Sequence, residues 1–267
     1  MLPNTPENIG GVLDAGIRLY RVNFRVLTTI AGLLFGTSLA LNLIAVFLLG
    51  VDLMPADPAA STLGELYSPS FVALSLVGFF IATLAYAALI RQLKASASGT
   101  PLTAGASVRE GFGRMISVTV ALVLYILLVS VGAVLLVIPG IWLATATGFA
   151  VIFAAEGSGP VAAIRQSFTL VKGHWWRTTA VFAVIFLLIF AVSFMFGALP
   201  GAVAGYNAAA NGEVSIRTFQ LISMIGNTLA SMFMMPLGFA MTFAAYHDLQ
   251  LRKSGEDLEA RLGTLEG

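Results

Sequence analysis

Charged residues divide this chain into five long neutral stretches, 26–51, 66–90, 115–155, 178–212 and 218–247. A helix needs roughly 20 apolar residues to cross a bilayer. The first, second and last stretches have that length and predict one span each, at about 26–50, 69–90 and 219–246. Pro236 lies inside the last and predicts a kink. The stretch 115–155 would be about 62 Å long as one helix, twice the hydrocarbon thickness. Pro139 and Gly140 stand where a reversal is needed, so the pattern predicts a tight hairpin with arms 116–138 and 141–155. Pro200 and Gly201 interrupt 178–212, and the AVAGYNAAANG that follows is too polar to span. One helix, 179–199, and an external segment are expected there.

Three shorter segments alternate apolar and polar positions at helical spacing. In 8–25, Ile9, Val12, Leu13, Ile17, Tyr20 and Phe24 share one face, with Asp14, Arg18, Arg21 and Arg25 opposite. This predicts a helix lying in the membrane interface, arginines toward headgroups and apolar face toward acyl chains. An ordinary helix packed on a partner domain would show the same pattern. Pro160 to Val171 reads the same way, opened by Ser158, Gly159 and Pro160, closed by Gly173, with a stripe of Val161, Ile164, Phe168, Val171 and Trp175. Pro101 to Phe112 is a weaker third copy. IRLYRVNFR (17–25) aligns with FTLVKGHWW (168–176), placing Leu19 with Leu170, Arg21 with Lys172, Asn23 with His174 and Phe24 with Trp175. VREGF (108–112) would put Arg109 and Phe112 in that frame. The expectation is three parallel units, each an interfacial helix followed by a transmembrane hairpin. Chance likeness among interface segments is the alternative.

Composition changes the picture by removing a water-soluble core from consideration. The 267 residues are 58% hydrophobic and 10% charged, against about 25% charged in soluble domains. The surface they can cover is mostly one that faces lipid. The fold class expected is all-α, a polytopic membrane bundle of about six transmembrane helices with two or three interfacial amphipathic helices. Of the 14 basic residues, all but Arg217 fall on one side of a six-span arrangement. Lys and Arg in short loops mark the cytoplasmic face, so both termini, including a charged tail 247–267, are expected in the cytoplasm. The first apolar run is too long for a signal-peptide core and reads as an uncleaved anchor. The setting this implies is a bacterial cytoplasmic (inner) membrane.

Net charge is +1 and cysteine is absent. Nothing points to nucleic acid, and disulfides, thiolate metal sites and cysteine nucleophiles are excluded. His174, His247 and Asp248 at helix ends would be the material for acid–base or metal chemistry, but no HExxH-like spacing accompanies them. Glu156 closes the fourth span and reads as a boundary residue or a functional carboxylate. No catalytic, cofactor or metal residues are assigned. The candidate headgroup-facing residues are Arg18, Arg21, Arg25, Lys172, His174, Trp175, Trp176 and Arg177. The candidate polar residues within the spans are Asn42, Thr145, Thr147 and Asn227, for helix–helix hydrogen bonds or a cavity lining. Small residues at Gly32, Gly36 and Ala40, at Ala144 and Gly148, and at Gly201 and Gly205 read as close packing or a homo-oligomer contact.

Four segments in order, LDAGIRLYRVNF, IPGIWLA, GPVAAIRQSFTLVKGHWWRT and AAYHDLQLRKSGEDLE, cover nearly the whole chain. The set resembles the bacterial glycerophosphoryl diester phosphodiesterase membrane domain family and related uncharacterised polytopic inner-membrane proteins. In that family such a membrane region precedes a separate phosphodiesterase barrel of roughly 250 residues, for which this chain has no room. The resemblance therefore implies a stand-alone membrane module and no catalytic residues. The expected function is a non-catalytic scaffold or module interacting with membrane lipids, a protein partner or a second copy. A transporter or channel for an uncharged or amphipathic solute is the alternative, and a lipid-headgroup enzyme at the interface the third.

Overall fold

The computed structural model describes residues 2–47, 69–211 and 216–265. All regular structure among them is α-helical: α1 Ile9–Phe47, α2 Pro69–Ala97, α3 Ala104–Phe112, α4 Met115–Leu135, α5 Val137–Thr147, α6 Ala150–Glu156, α7 Pro160–Val171, α8 Trp175–Asn211 and α9 Ile216–Leu265. Six segments are long and apolar enough to cross a membrane, Ile9–Ala45, Val72–Ala97, Met115–Leu135, Val137–Glu156, Trp175–Val203 and Leu221–Gly255. The chain is a multi-pass helical membrane bundle.

Its helices are longer than the charge pattern suggests. No boundary separates an interfacial helix 8–25 from a span at 26, because nothing between Arg25 and Val26 breaks a helix and α1 runs straight through. Of the apolar face expected in its N-terminal part, Val12 is buried, Ile9, Leu13, Ile17 and Tyr20 are half-buried against the core, and Phe24 is exposed. The buried face is Val12, Ala15, Leu19, Asn23 and Leu27, packed on α9 so closely that a Cβ on Gly16 would sit 2.5 Å from the Met241 Cα. Helix α8 continues through Pro200 and Gly201 to Asn211, so the helix does not end at 199, and its apolar span reaches Val203. In lipid an interrupted helix leaves backbone groups without partners, which favours continuation across a proline. Helix α9 likewise passes Pro236 and runs beyond 247 to Leu265.

The hairpin in 115–155 turns earlier than expected. Leu136, in extended conformation (φ −167°, ψ 151°), separates α4 from α5. Pro139 falls in the first turn of α5, where a missing N–H costs no helical bond. Gly132 and Gly140 let the two arms touch, since a Cβ on Gly140 would lie 2.9 Å from the Ala133 Cα. The second arm is itself broken at Gly148 and Phe149. The Ser167 hydroxyl of α7 repairs that break, accepting from Phe149 N at 3.1 Å and donating to Ala146 O at 2.8 Å.

Three short amphipathic segments share one construction. Asn8, Thr103 and Gly159 precede the first residues of α1, α3 and α7. Four residues on, the N–H groups of Val12, Ser107 and Ala163 bond the carbonyls of those capping residues at 3.0, 2.9 and 2.8 Å, and all three side chains are buried. Eight residues after the caps come Gly16, Gly111 and Ser167, each at a crossing with another helix. A Cβ on Gly111 would stand 2.7 Å from the Ala88 N. This frame keeps the alignment of 17–25 with 168–176. It moves the third copy, so that Phe112 is level with Ile17 and Phe168 rather than with Phe24 and Trp175. In α7 the buried face is Ala163, Ile164, Ser167, Leu170 and Val171, while Val161 is exposed. The stripe expected there was rotated because the helix faces α5 and α6 rather than lipid.

The arms that follow are also related. GFAVIFAA (148–155) and GFAMTFAA (238–245) agree at six of eight positions. On α2, Ala82 and Thr83 lie as far ahead of Lys94 as Ala144 and Thr145 lie ahead of Glu156. The inner halves of α2, α6 and α9 are almost completely buried, from Ala85 to Leu93, Ala150 to Ala155 and Ala240 to Leu249. Helices α4 and α8 expose Leu127, Val134, Phe186, Phe190 and Phe194. So large an apolar surface on the outer helices is what a lipid-facing layer requires.

Candidate functional site: the basic end of the bundle

Lys94, Glu156 and Tyr246 close one end of the three inner arms. Glu156 and Tyr246 directly follow the two related octets, and α2 brings Lys94 to the same place. Lys94 Nζ lies 3.0 Å from Glu156 Oε1, and Tyr246 Oη donates to Glu156 Oε2 at 2.8 Å. Gln250 Nε2 donates to the Tyr246 oxygen at 2.7 Å. Beneath this cluster Phe149, Phe153 and Phe243 pack on the Tyr246 ring. Glu156 is therefore a strut between three helices.

Beside it, Asp248 holds the N-terminal segment. Its carboxylate accepts from Glu7 N at 2.8 Å, Arg177 Nη2 at 2.9 Å and Arg252 Nε at 3.0 Å. The Glu7 carbonyl accepts from both arginines, at 2.7 Å for Arg252. His247 Nε2 lies 3.0 Å from the Pro3 carbonyl oxygen. Each polar group meets an opposite one, so Arg177, expected to face headgroups, is instead committed inside the protein. Asp248 and His247 are spent on tying down residues 3–7. Among the described residues no three His, Asp or Glu side chains group as a metal site.

A cleft of about 690 Å³ opens between α1 and the C-terminal end of α2. Arg21, Phe24 and Arg25 line one side, and Gly99 and Pro101 of the loop before α3 the other. Asn23, Gln92 and Ser96 contribute the polar part of the lining, all three buried. They are fixed by a connected set of hydrogen bonds. Asn23 Nδ2 donates to Leu19 O at 2.9 Å, Ser96 Oγ to Asn23 Oδ1 at 2.6 Å, Gln92 Nε2 to Ser96 Oγ at 3.2 Å, and Ser107 Oγ to Gln92 Oε1 at 2.9 Å. Three helices, α1, α2 and α3, are tied by neutral groups, which avoids the cost of burying a charge. This network escaped the sequence reading. Gln92 and Ser96, one turn apart on the face away from Arg91 and Lys94, were the available signal.

A second cleft of about 400 Å³ lies among Trp142, Phe168, Lys172, Gly173 and Trp175. Trp175 Nε1 points to the Trp142 carbonyl at 3.4 Å. Trp176 is 81% exposed, as an interface residue should be. Arg18 is exposed and lies 3.8 Å from Asp14. His174 sits in the turn between α7 and α8, its backbone joined to Val171 and Thr178.

The polar residues proposed within the spans do not assemble. Asn42 donates to Ser38 O of its own helix and Thr147 to Leu143 O. Thr145 pairs with Thr179 at 3.1 Å, joining α5 to α8. Asn227 is exposed on α9. None of the four lines a described cleft. Compared with known protein families, curated proteins and solved structures, the chain matches none of them.

Proposed function

We propose that this protein is a non-catalytic membrane module that holds anionic lipid against its basic end. One observation carries the reading. Asp14, Glu110, Glu156 and Asp248 are each ion-paired within the protein, to Arg18, Arg91, Lys94 and the Arg177 and Arg252 pair. Arg21, Arg25, Arg109, Arg165 and Lys172 have no acidic partner among the described residues, and they flank the apolar outer layer. Cations at that level are attracted to anionic headgroups by about 1 kcal/mol each. In a bacterial cytoplasmic membrane, with the basic end inward as the positive-inside rule directs, these residues would meet the anionic inner leaflet. The solute-carrier alternative has no comparable support, since Asn42, Thr145, Thr147 and Asn227 share no lining.

The test is lipid retention. The protein, reconstituted in nanodiscs of mixed phosphatidylglycerol and phosphatidylcholine, should enrich the anionic lipid in its annulus and lose that enrichment in high salt. Equal retention of both lipids at low salt would refute the proposal.

A further inference from the structure

Beyond the basic surface, the cleft beside α1 is a more specific feature. We infer that it is a discrete site for one anionic phospholipid, with Arg21 and Arg25 on the headgroup phosphate and the acyl chains running out along α1. This rests on the proposed function and names its ligand site.

Arg21 and Arg25 are one turn apart on the same helix face, line the same cleft, and have no acidic partner among the described residues. Two guanidinium groups converging on one phosphate give forked, charge-assisted hydrogen bonds. The lining supplies neutral donors. The Asn23 amide spends one hydrogen on Leu19 O, and an amide nitrogen carries two. No carboxylate lines the cleft to repel an anion. Across from the arginines, Gly99 has φ 82° and open space where a side chain would be, which leaves room for a headgroup. The volume lies inside the ~300–1,000 Å³ span typical of small-molecule sites. The lip is apolar: Val22 is 57% exposed and Phe24 42%. A free phosphate has no use for that lip, whereas glycerol and acyl carbons do. Beyond it α1 continues with exposed Leu33 and Ile44, a path for chains.

Native mass spectrometry of the full chain from phosphatidylglycerol-containing nanodiscs tests this. Wild type should keep one tightly held phosphatidylglycerol. Replacing both cleft arginines (R21Q with R25Q) should lower its retention at least about tenfold, and R21K with R25K should restore part of it. The control pair R109Q with R165Q, exposed cations outside the cleft, should change it less than about twofold. Unchanged thermal transitions would show that the variants are folded. Equal losses in the two glutamine pairs, or none in either, would overturn the cleft site while leaving the surface reading intact. No enrichment of anionic lipid by wild type would overturn both. Stabilisation of delipidated protein by inorganic phosphate alone, equal to that by a short-chain phosphatidylglycerol, would overturn the lipid as occupant.

Discussion

Removing the Glu156 carboxylate should loosen the contact among the three inner arms by an amount that the exposures of its partners apportion. Glu156 is 18% exposed and Lys94 45%, so their ion pair is strongly screened and worth about 0.2–1 kcal/mol. Tyr246 is 2% exposed, and its hydroxyl donates to a carboxylate at 2.8 Å. A hydrogen bond to a charged group contributes about 1.5–3 kcal/mol. Glu156→Ala should therefore cost about 2–3 kcal/mol, most of it through Tyr246. Double-mutant cycles separate the two arms of the cluster. The Glu156→Ala and Tyr246→Phe cycle should couple by about 1.5 kcal/mol, and the Glu156→Ala and Lys94→Ala cycle by about 0.5. Reversible unfolding in mixed micelles gives the free energies. The Tyr246→Phe single variant keeps the ring packing on Phe149 and Phe153, so the hydroxyl alone is tested. Couplings of equal size, or a tyrosine coupling near zero, would show that the three arms are not joined through this carboxylate.

Other perturbations follow from single contacts. Gly111→Ala should destabilise by about 1–3 kcal/mol as an overpacked crossing, because the new Cβ would meet the Ala88 backbone at 2.7 Å, while Gly36→Ala, with nothing within 4 Å, should not. Thermal melts of the pair in one detergent measure the contrast. Ser167→Ala should cost about 1–3 kcal/mol by stranding the Phe149 N–H and the Ala146 carbonyl, visible as faster amide exchange at Phe149. Asp248→Asn should release residues 3–7, seen as increased proteolysis near the N-terminus with the bundle intact. A reporter active only in the cytoplasm, fused after Gly99, should be active; activity of a periplasmic reporter there would reverse the orientation.

Span positions were legible because the cost of burying charge in lipid leaves a plain mark on a sequence. Helix ends were less so. Pro200, read as a terminator by rules for water-soluble proteins, lies inside α8, which runs on to Asn211. Pro139 was read as the turn, yet it begins α5, and Leu136, which carries no sequence signal, makes the reversal. The amphipathic faces of 9–25 and of α7 were rotated from their expected positions. Their large apolar residues suggested a lipid-facing side, whereas the tight crossings are made by Gly16 and Ser167, which carry no hydrophobic signal. Arg21, Arg25, Lys172 and Trp175 do line clefts. Arg177 is instead committed to an ion pair, and its acidic partner lies 71 positions away, a pairing that no local pattern encodes.

The same three-part construction bears on why the larger cleft stands where it does. After the crossing at Gly111 the chain bends at Gly113 and Arg114 before α4, and after Ser167 it turns through Lys172 and Gly173 before α8. Gly173, at φ 89°, is in a conformation other residues rarely adopt. After Gly16 nothing bends, and α1 carries Arg21 and Arg25 onward in one rigid rod. A chain that turns can fold its next segment back over its neighbour, but an unbroken helix cannot. The cleft lies beside this unbroken segment, at residues 21–26. Introducing the turn there, by placing Lys-Gly at Arg21 and Val22 to mirror Lys172 and Gly173, should close the cleft and lower lipid retention in step. A variant that bent α1 yet kept its tightly bound phosphatidylglycerol would show that the cleft's position owes nothing to the missing turn.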